Sequence, residues 1–398
     1  MVWSVRQRST SSLDLSIRSA RLVSGLILSA FVLTHLANLA LGLVSLEAID
    51  AWRTVLMAPW HSAAGSIFLA LAAIVHAGIG LYTISKRRSL ALSRVDVVQI
   101  ILGVLTPPLL ITHVLTLRAT SIIVPDFDAS YAVILSVYWS LAPTYAFQQL
   151  FVVVIVWVHA AIGFYSWIAL RPIWPRIRTI VLPVLFLVPI LALLGFAEAG
   201  KEILDRLEND PGWIDHVRAS QRLYSQAAPT LDAINVSVVT GYWILVAAVL
   251  LSWAIRIYAG RSRRVRIIYD GEATASGKSG LSLLEISLSS GIPHAHICQG
   301  RGRCGTCRVE ILRGGQNLTP RTDQEIKTLA HLHADDRTRL ACQARLLQSD
   351  VSVARLLPAY ADISAAQTPE EWGRKDSRPP TEETSPVPVV LPFEGAAP

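Results

Sequence analysis

The stretch CQGRGRCGTCRVEI, Cys298 to Ile311, decides how the C-terminal third of the chain is read, together with one later cysteine in RLACQ, Cys342. All four cysteines of the sequence lie here, spaced C-x5-C-x2-C and then, after a long gap from Cys307, the last at Cys342. Glycines between the first three let the backbone wrap around a bound group and aim N–H groups at its sulfurs. A structural zinc site more often shows two Cys-x2-Cys pairs. Disulfides are disfavoured on the cytosolic side of a membrane, the side this region is given below. Three close cysteines with a distant fourth suit an iron–sulfur cluster.

The flanks read as a small α+β unit. RVRIIYDG (264–271) is strand-like, and LSLLEISLSSG (281–291) is a short helix closing at Gly291. CRVEILRGG (307–315) is a strand, TDQEIKTLA (322–330) a helix, and RLACQARLL (339–347) begins as a strand. Over residues 264–358 this order and spacing resemble the [2Fe-2S] ferredoxins, whose plant-type members use C-x4-C-x2-C. The five-residue first gap is similar to the adrenodoxin-like branch. The resemblance implies a β-grasp domain in which Cys298, Cys304, Cys307 and Cys342 hold one [2Fe-2S] cluster. His294 and His296 precede Cys298, as a Rieske-type pair would, but four cysteines already complete a ligand set. Both histidines are expected at the surface. Residues 362–398, rich in Pro, Glu, Ser and Thr, cannot bury enough apolar area to offset ordering, and are expected to be a disordered tail.

Upstream the composition changes. The 398-residue chain is 52% hydrophobic and only 16% charged, against about 25% charged in soluble domains. Six apolar segments, near 20–44, 61–85, 95–117, 147–170, 178–198 and 235–258, approach the roughly 20 residues that cross a bilayer. Prolines 107, 108, 183 and 189 interrupt them, as membrane bundles tolerate. The net charge of +7 does not indicate nucleic acid, because the basic residues gather where apolar segments end. Lys86, Arg87, Arg88 and Arg94 follow the second segment, Arg171, Arg176 and Arg178 the fourth, and Arg261, Arg263, Arg264 and Arg266 the sixth. Residues 1–19 then form a cytosolic N-terminal segment without a cleavable signal, and both termini face the cytosol of a bacterial inner membrane. The polar stretch 199–233 reads as a short interfacial or periplasmic helix pair, and no internal repeat of about 20 to 50 residues is evident. The expected architecture is an α-helical six-transmembrane bundle over 20–260, then the ferredoxin domain and the tail.

Four histidines sit deep in consecutive segments: His35, His76, His113 and His159. One such residue usually satisfies an interhelical hydrogen bond, but one on each of four helices calls for more, since ionisable groups at that depth are costly. His76 lies ten residues before Lys86 and His159 twelve before Arg171, so both are roughly 15–18 Å from the cytosolic helix end. His35 lies fourteen after Arg21 and His113 nineteen after Arg94, roughly 21–28 Å from it. A bis-histidine haem needs two imidazoles at one level. The sequence offers His76 with His159 and His35 with His113. Small residues near them, Ala72, Gly80 and Gly163, leave room for a flat ring. The second nitrogen of each imidazole is expected to donate to a backbone carbonyl. His61, fifteen residues before His76, is either a plain interfacial residue or one near a haem edge or quinone pocket. Arg53, Arg88 and Arg118 are either propionate partners or membrane-end anchors.

Four helices with one alternately paired axial histidine each resemble the di-haem cytochrome b membrane anchor of succinate:quinone oxidoreductases and fumarate reductases. That resemblance covers residues 20–260 and implies two b-type haems and a bound quinone. The order of anchor then ferredoxin is similar to the regulatory half of rhizobial-type membrane class III adenylate cyclases, and the roughly 40 residues after the ferredoxin leave no room for the cyclase domain, so cyclase activity is not expected of this chain. Two functions stand side by side. One is electron transfer between quinone, two haems and the cluster, with quinone oxidoreductase activity open. The other is a redox-sensing module with conformational output. Expected partners are the bilayer, quinone, a cytosolic redox partner or effector, and a second copy in a homodimer. A solute transporter is disfavoured, since no broken helix pair or buried carboxylate stands out.

Overall fold

The computed structural model describes residues 4–86, 94–124, 126–259, 264–271 and 273–369. Arg87, Arg88, Arg261, Arg263 and the tail beyond residue 369, on which several expectations rest, lie outside the described residues. The chain opens with α1 (Ser4–Ala40), α2 (Leu46–Leu56), α3 (Ala58–His61), α4 (Ala63–Ser85) and α5 (Arg94–Val114). A π-helical stretch, Leu115–Ala119, carries α5 into α6 (Thr120–Ile123). Then come α7 (Tyr131–Ser136), α8 (Pro143–Ile168), α9 (Trp174–Asn209) and α10 (Pro211–Ala259).

Six helical stretches are long and apolar enough to cross a membrane: Ser16–Leu43, Ala63–Ser85, Arg94–Ile123, Pro143–Ile168, Trp174–Asn209 and Pro211–Arg256. They stand at the six expected places. α1 packs against α4 and α9, α5 against α8, and α10 against α4 and α5. Leu36, Ile49, Trp157, Phe196 and Ile203 fill the buried centre, while Phe68, Ile74, Phe186 and Val236 point outward with more than half their surface exposed. An outer face so apolar is what a lipid-facing bundle presents and a water-facing one avoids.

One stretch of the bundle differs from the sequence reading. Residues 199–233 are not a separate helix pair. They are the last turns of α9 and the first turns of α10, broken only at Asp210. There the Asp210 carboxylate accepts from the N–H groups of Gly212 and Trp213 at 3.0 and 3.2 Å, and Pro211 opens the new helix, so one residue of non-helical backbone suffices. α7, between the third and fourth expected segments, starts where Ser130 Oγ accepts from the Val133 N–H at 3.3 Å, and is held from afar as well. The Asp50 carboxylate accepts from the N–H groups of Tyr131 and Ala132, at 2.9 and 3.1 Å, and pairs with Arg53.

The second unit is a five-stranded mixed sheet of order β2-β1-β5-β3-β4: β1 (Arg264–Tyr269), β2 (Thr274–Lys278), β3 (Arg308–Arg313), β4 (Thr338–Leu340) and β5 (Val351–Arg355). β1 and β5 are parallel and the other pairs antiparallel. β1 alternates in burial along its length, with Val265 and Ile267 inside and Arg264 and Arg266 outside; each such buried aliphatic contributes about 1.5–3 kcal/mol. α11 (Leu283–Ser289), started by a Ser282–Glu285 capping box, and α12 (Asp323–His331) complete the unit. β2 and β5 are not evident in the sequence, since each is short and β2 carries little but small side chains. His294 is buried, not exposed as expected. Its Nδ1 lies 3.2 Å from the Tyr269 hydroxyl, which satisfies the ring in the core.

Candidate functional site

The two histidine pairs meet as the depth argument requires. His76 on α4 faces His159 on α8 with ring centroids 6.2 Å apart, and His35 on α1 faces His113 on α5 at 6.3 Å. Two imidazoles sharing one metal would sit about 6 Å apart, from roughly 2 Å per metal–nitrogen bond and roughly 1 Å from each nitrogen to its ring centre. Nδ1 of His76 donates to the Arg21 carbonyl and Nδ1 of His159 to the Gln99 carbonyl, both at 3.2 Å. Each bond leaves Nε2 unprotonated and available as a ligand. The other pair is held differently. Nδ1 of His35 is 3.3 Å from the Tyr131 hydroxyl, and the buried Nδ1 of His113 has only the Gln149 amide nearby, without a well-formed hydrogen bond.

The two halves of this core repeat one another. Arg21, Gly25 and His35 in α1 correspond at one constant offset to Gln99, Gly103 and His113 in α5. VHAGIGLY (75–82) corresponds to VHAAIGFY (158–165), identical at six of eight positions and displaced by a slightly larger step. This period is longer than the roughly 20–50 residues of stacked repeats, so a reading tuned to those does not reveal it. Gly25 and Gly103 are the residues the sequence reading omits, and this register is the signal that finds them. A Cβ on Gly25 would lie 2.9 Å from Cε1 of His76, and one on Gly103 2.8 Å from Cε1 of His159. Each imidazole therefore rests on a glycine of the neighbouring helix. Gly80 and Gly163 line the cavity beside the rings as expected; Ala72 is buried without lining it.

Both pairs open into a continuous cavity of about 1920 Å³, roughly twice the upper end of the 300–1,000 Å³ common for single-ligand sites. Its far mouth carries Arg53, His61, Ser66 and Arg118, where the Arg118 guanidinium donates to Ser66 Oγ at 2.6 Å and to the His61 carbonyl at 3.3 Å. Its near end is closed by the second unit, through Gln299, Arg301, Cys342 and Gln343. Paired imidazoles at metal-bridging separation beside a large cavity, one pair of them backed by glycines, suit a metal-bearing group at each pair.

The four cysteines are buried together. Cys307 and Cys342 have sulfurs 3.3 Å apart, and Cys298 and Cys304 share a hydrogen bond. Two pairs of sulfurs suit two irons. Among the described residues no three His, Cys, Asp or Glu side chains converge on one ion. Arg303 N–H donates to Cys298 Sγ at 3.5 Å, Cys298 N–H to Cys304 Sγ at 3.3 Å, and the Gln343 amide to Cys342 Sγ at 3.4 Å. Gly302 and Gly305 allow this wrapping with φ near +69° and +68°, and a Cβ on Gly305 would meet Leu332 at 2.4 Å. The hydrogen bond with Cys304 holds the Cys298 thiol below its ordinary pKa. Hydrogen bonding to Cys298 and burial push Cys304 up, and bonding to Cys342 and burial do the same to Cys307. Four thiolates here need cations to accompany them.

Known proteins resemble this second unit. The 2Fe-2S iron-sulfur cluster binding domain family matches residues 267–347. The 2Fe-2S ferredoxin-5 of Aquifex aeolicus is 35% identical over 81 residues, 20% of this chain and 84% of that protein. A component of the Na(+)-translocating NADH-quinone reductase of Yersinia pestis is 34% identical over 85 residues, and the chain spans only 20% of its length. An ISC-like [2Fe-2S] ferredoxin from Pseudomonas putida aligns at 22% identity and TM-score 0.21, over 24% of this chain and 93% of that one.

Proposed function

Through residues 267–347 the chain belongs to the 2Fe-2S iron-sulfur cluster binding family, and from that premise we propose that it moves single electrons through a membrane, between quinone, two b-type haems and a [2Fe-2S] cluster. The observation that carries the reading is the pair of imidazole gaps, 6.2 and 6.3 Å, inside one cavity that leads to the cysteine loop. His76 with His159 and His35 with His113 would each hold one haem iron, and Cys298, Cys304, Cys307 and Cys342 would hold the cluster. Haem bound there supplies reversible one-electron chemistry. The chain's own residues do the rest: backbone carbonyls fix the His76 and His159 tautomers, Gly25 and Gly103 set the clearance of those two rings, and the apolar wall keeps water out. Arg53 and Arg118 at the far mouth suit carboxylates at the His35/His113 level, and the donors there suit a quinone oxygen. The basic residues at segment ends are in keeping with a cysteine domain on the cytosolic side. The name of the Yersinia relative, part of a NADH-quinone reductase, is in keeping with an electron-transfer role.

A reduced-minus-oxidised optical spectrum with pyridine-haem quantitation tests this. About two b haems per chain are expected, from two bis-histidine sites, with His76→Ala and His113→Ala each losing one. Fully purified, folded protein without haem would refute the haem assignment and leave the ferredoxin standing.

A further inference from the structure

The segment after the last strand, part of the stretch expected to be disordered, touches both units. The Gln367 N–H donates to the Cys304 carbonyl at 3.0 Å, on the cysteine loop. The next residue's hydroxyl, Thr368 Oγ1, donates to the Leu170 carbonyl at 2.9 Å, just past the end of the helix that carries His159. Pro369 is buried and lines the cavity between the units. On the opposite flank the Arg18 guanidinium of α1 donates to the Arg301 carbonyl, in the same loop, at 2.9 Å, and α12 lies against α1. The cysteine loop is thus gripped from two sides, and both grips hold carbonyl oxygens rather than ion-pair partners.

We propose that residues 366–369 are a clamp that seats the cysteine loop on the α1/α8 end of the bundle, so that electrons pass between the cluster and the His76/His159 site within one chain. The transfer route rests on the function proposed above; the clamp itself does not. One electron leaves the cluster and one arrives at the His76/His159 site, with no proton and no further reactant. Seated this way, Gln299 and Arg301 of the loop, with Cys342 and Gln343 beside them, line the bundle's cavity.

The test uses the full chain in detergent, comparing wild type with the double variant Arg18→Ala/Thr368→Val. Hydrogen exchange is followed in peptides covering 299–304 and 366–369, with β1 and β5 peptides and cluster absorbance as controls for folding. Exchange in the loop and clamp is expected to rise about tenfold or more, the factor that goes with losing one to two hydrogen bonds, while the controls stay put. A rapid-mixing experiment then follows oxidation of the pre-reduced cluster against reduction of the haem band. First-order transfer independent of protein concentration, slowed about tenfold or more in the variant, supports the route. Unchanged loop exchange in the variant overturns the clamp, and transfer that scales with protein concentration overturns the route. Protein that carries no haem would refute the function proposed above, and the exchange measurement would still decide the clamp.

Discussion

Glu325 is fully buried in the ferredoxin core, and both its oxygens are used. They accept from Arg339 Nε and Nη2 at 2.8 and 3.0 Å and from the Leu340 N–H at 2.8 Å, two residues before Cys342. Glu325→Ala would leave the Arg339 guanidinium buried and uncompensated, a change that typically costs about 3–5 kcal/mol. Denaturant-induced loss of cluster absorbance should move to a lower midpoint, by that free energy divided by the unfolding slope. Gln343 acts on the cluster instead. Its amide donates to Cys342 Sγ, and hydrogen bonds to cluster sulfurs raise the potential. Gln343→Leu should make the cluster about 20–65 mV more negative, one hydrogen bond of about 0.5–1.5 kcal/mol in a one-electron couple. A potentiometric titration followed by EPR would show it, and an unchanged midpoint would mean this amide does not tune the cluster. Neither role is visible in the sequence. Cysteine spacing marks the ligands by itself, whereas Glu325 becomes special only through an arginine 14 residues away, and the fold alone turns the Gln343 amide onto the sulfur of its neighbour Cys342.

At the scale of elements, the internal repeat makes a prediction of its own. Gly25 and Gly103 hold equivalent places, so Gly25→Ala and Gly103→Ala should have the same effect. Each puts a methyl group under 3.0 Å from an imidazole carbon, and the ring must shift. Haem content at the His76/His159 level should fall, or its low-spin spectrum change, with the His35/His113 level intact; a normal spectrum in both variants would show that the glycines serve helix packing alone. Helix placement itself is legible because an apolar run of about 20 residues is a strong signal. Where the sequence falls short, the cause is distant. Ser130 caps α7 locally, but Asp50, 81 residues earlier in the chain, holds its first N–H groups and so sets Tyr131 beside His35. A boundary at the start of 199–233 comes too early, since polar residues continue a helix as readily as they end one when a neighbouring helix supports it.

For the whole molecule, the outward-facing apolar side chains of the six long helices predict how the protein partitions. It should sediment with membranes and resist extraction by alkaline carbonate or high salt, yielding only to detergent. Release by carbonate would contradict a bundle that spans the bilayer. The unit from Arg264 onward, with its own core around Val265, Ile267, Leu340 and Val353, accounts for none of that behaviour.

What the sequence determined by itself was local: apolar runs long enough to span, four cysteines at cluster spacing, and four histidines whose distances from charged helix ends sort them into two levels. Each of these signals is carried by residues close together in the chain, so periodicity and spacing suffice. The tertiary structure decided the rest. It set which glycine backs which imidazole, which carbonyls fix the His76 and His159 tautomers, the buried place of His294, and the contact of residues 367 and 368 with both units. Those are meetings of residues tens to nearly two hundred positions apart. Helix packing chooses among many such meetings, and no local pattern records the choice.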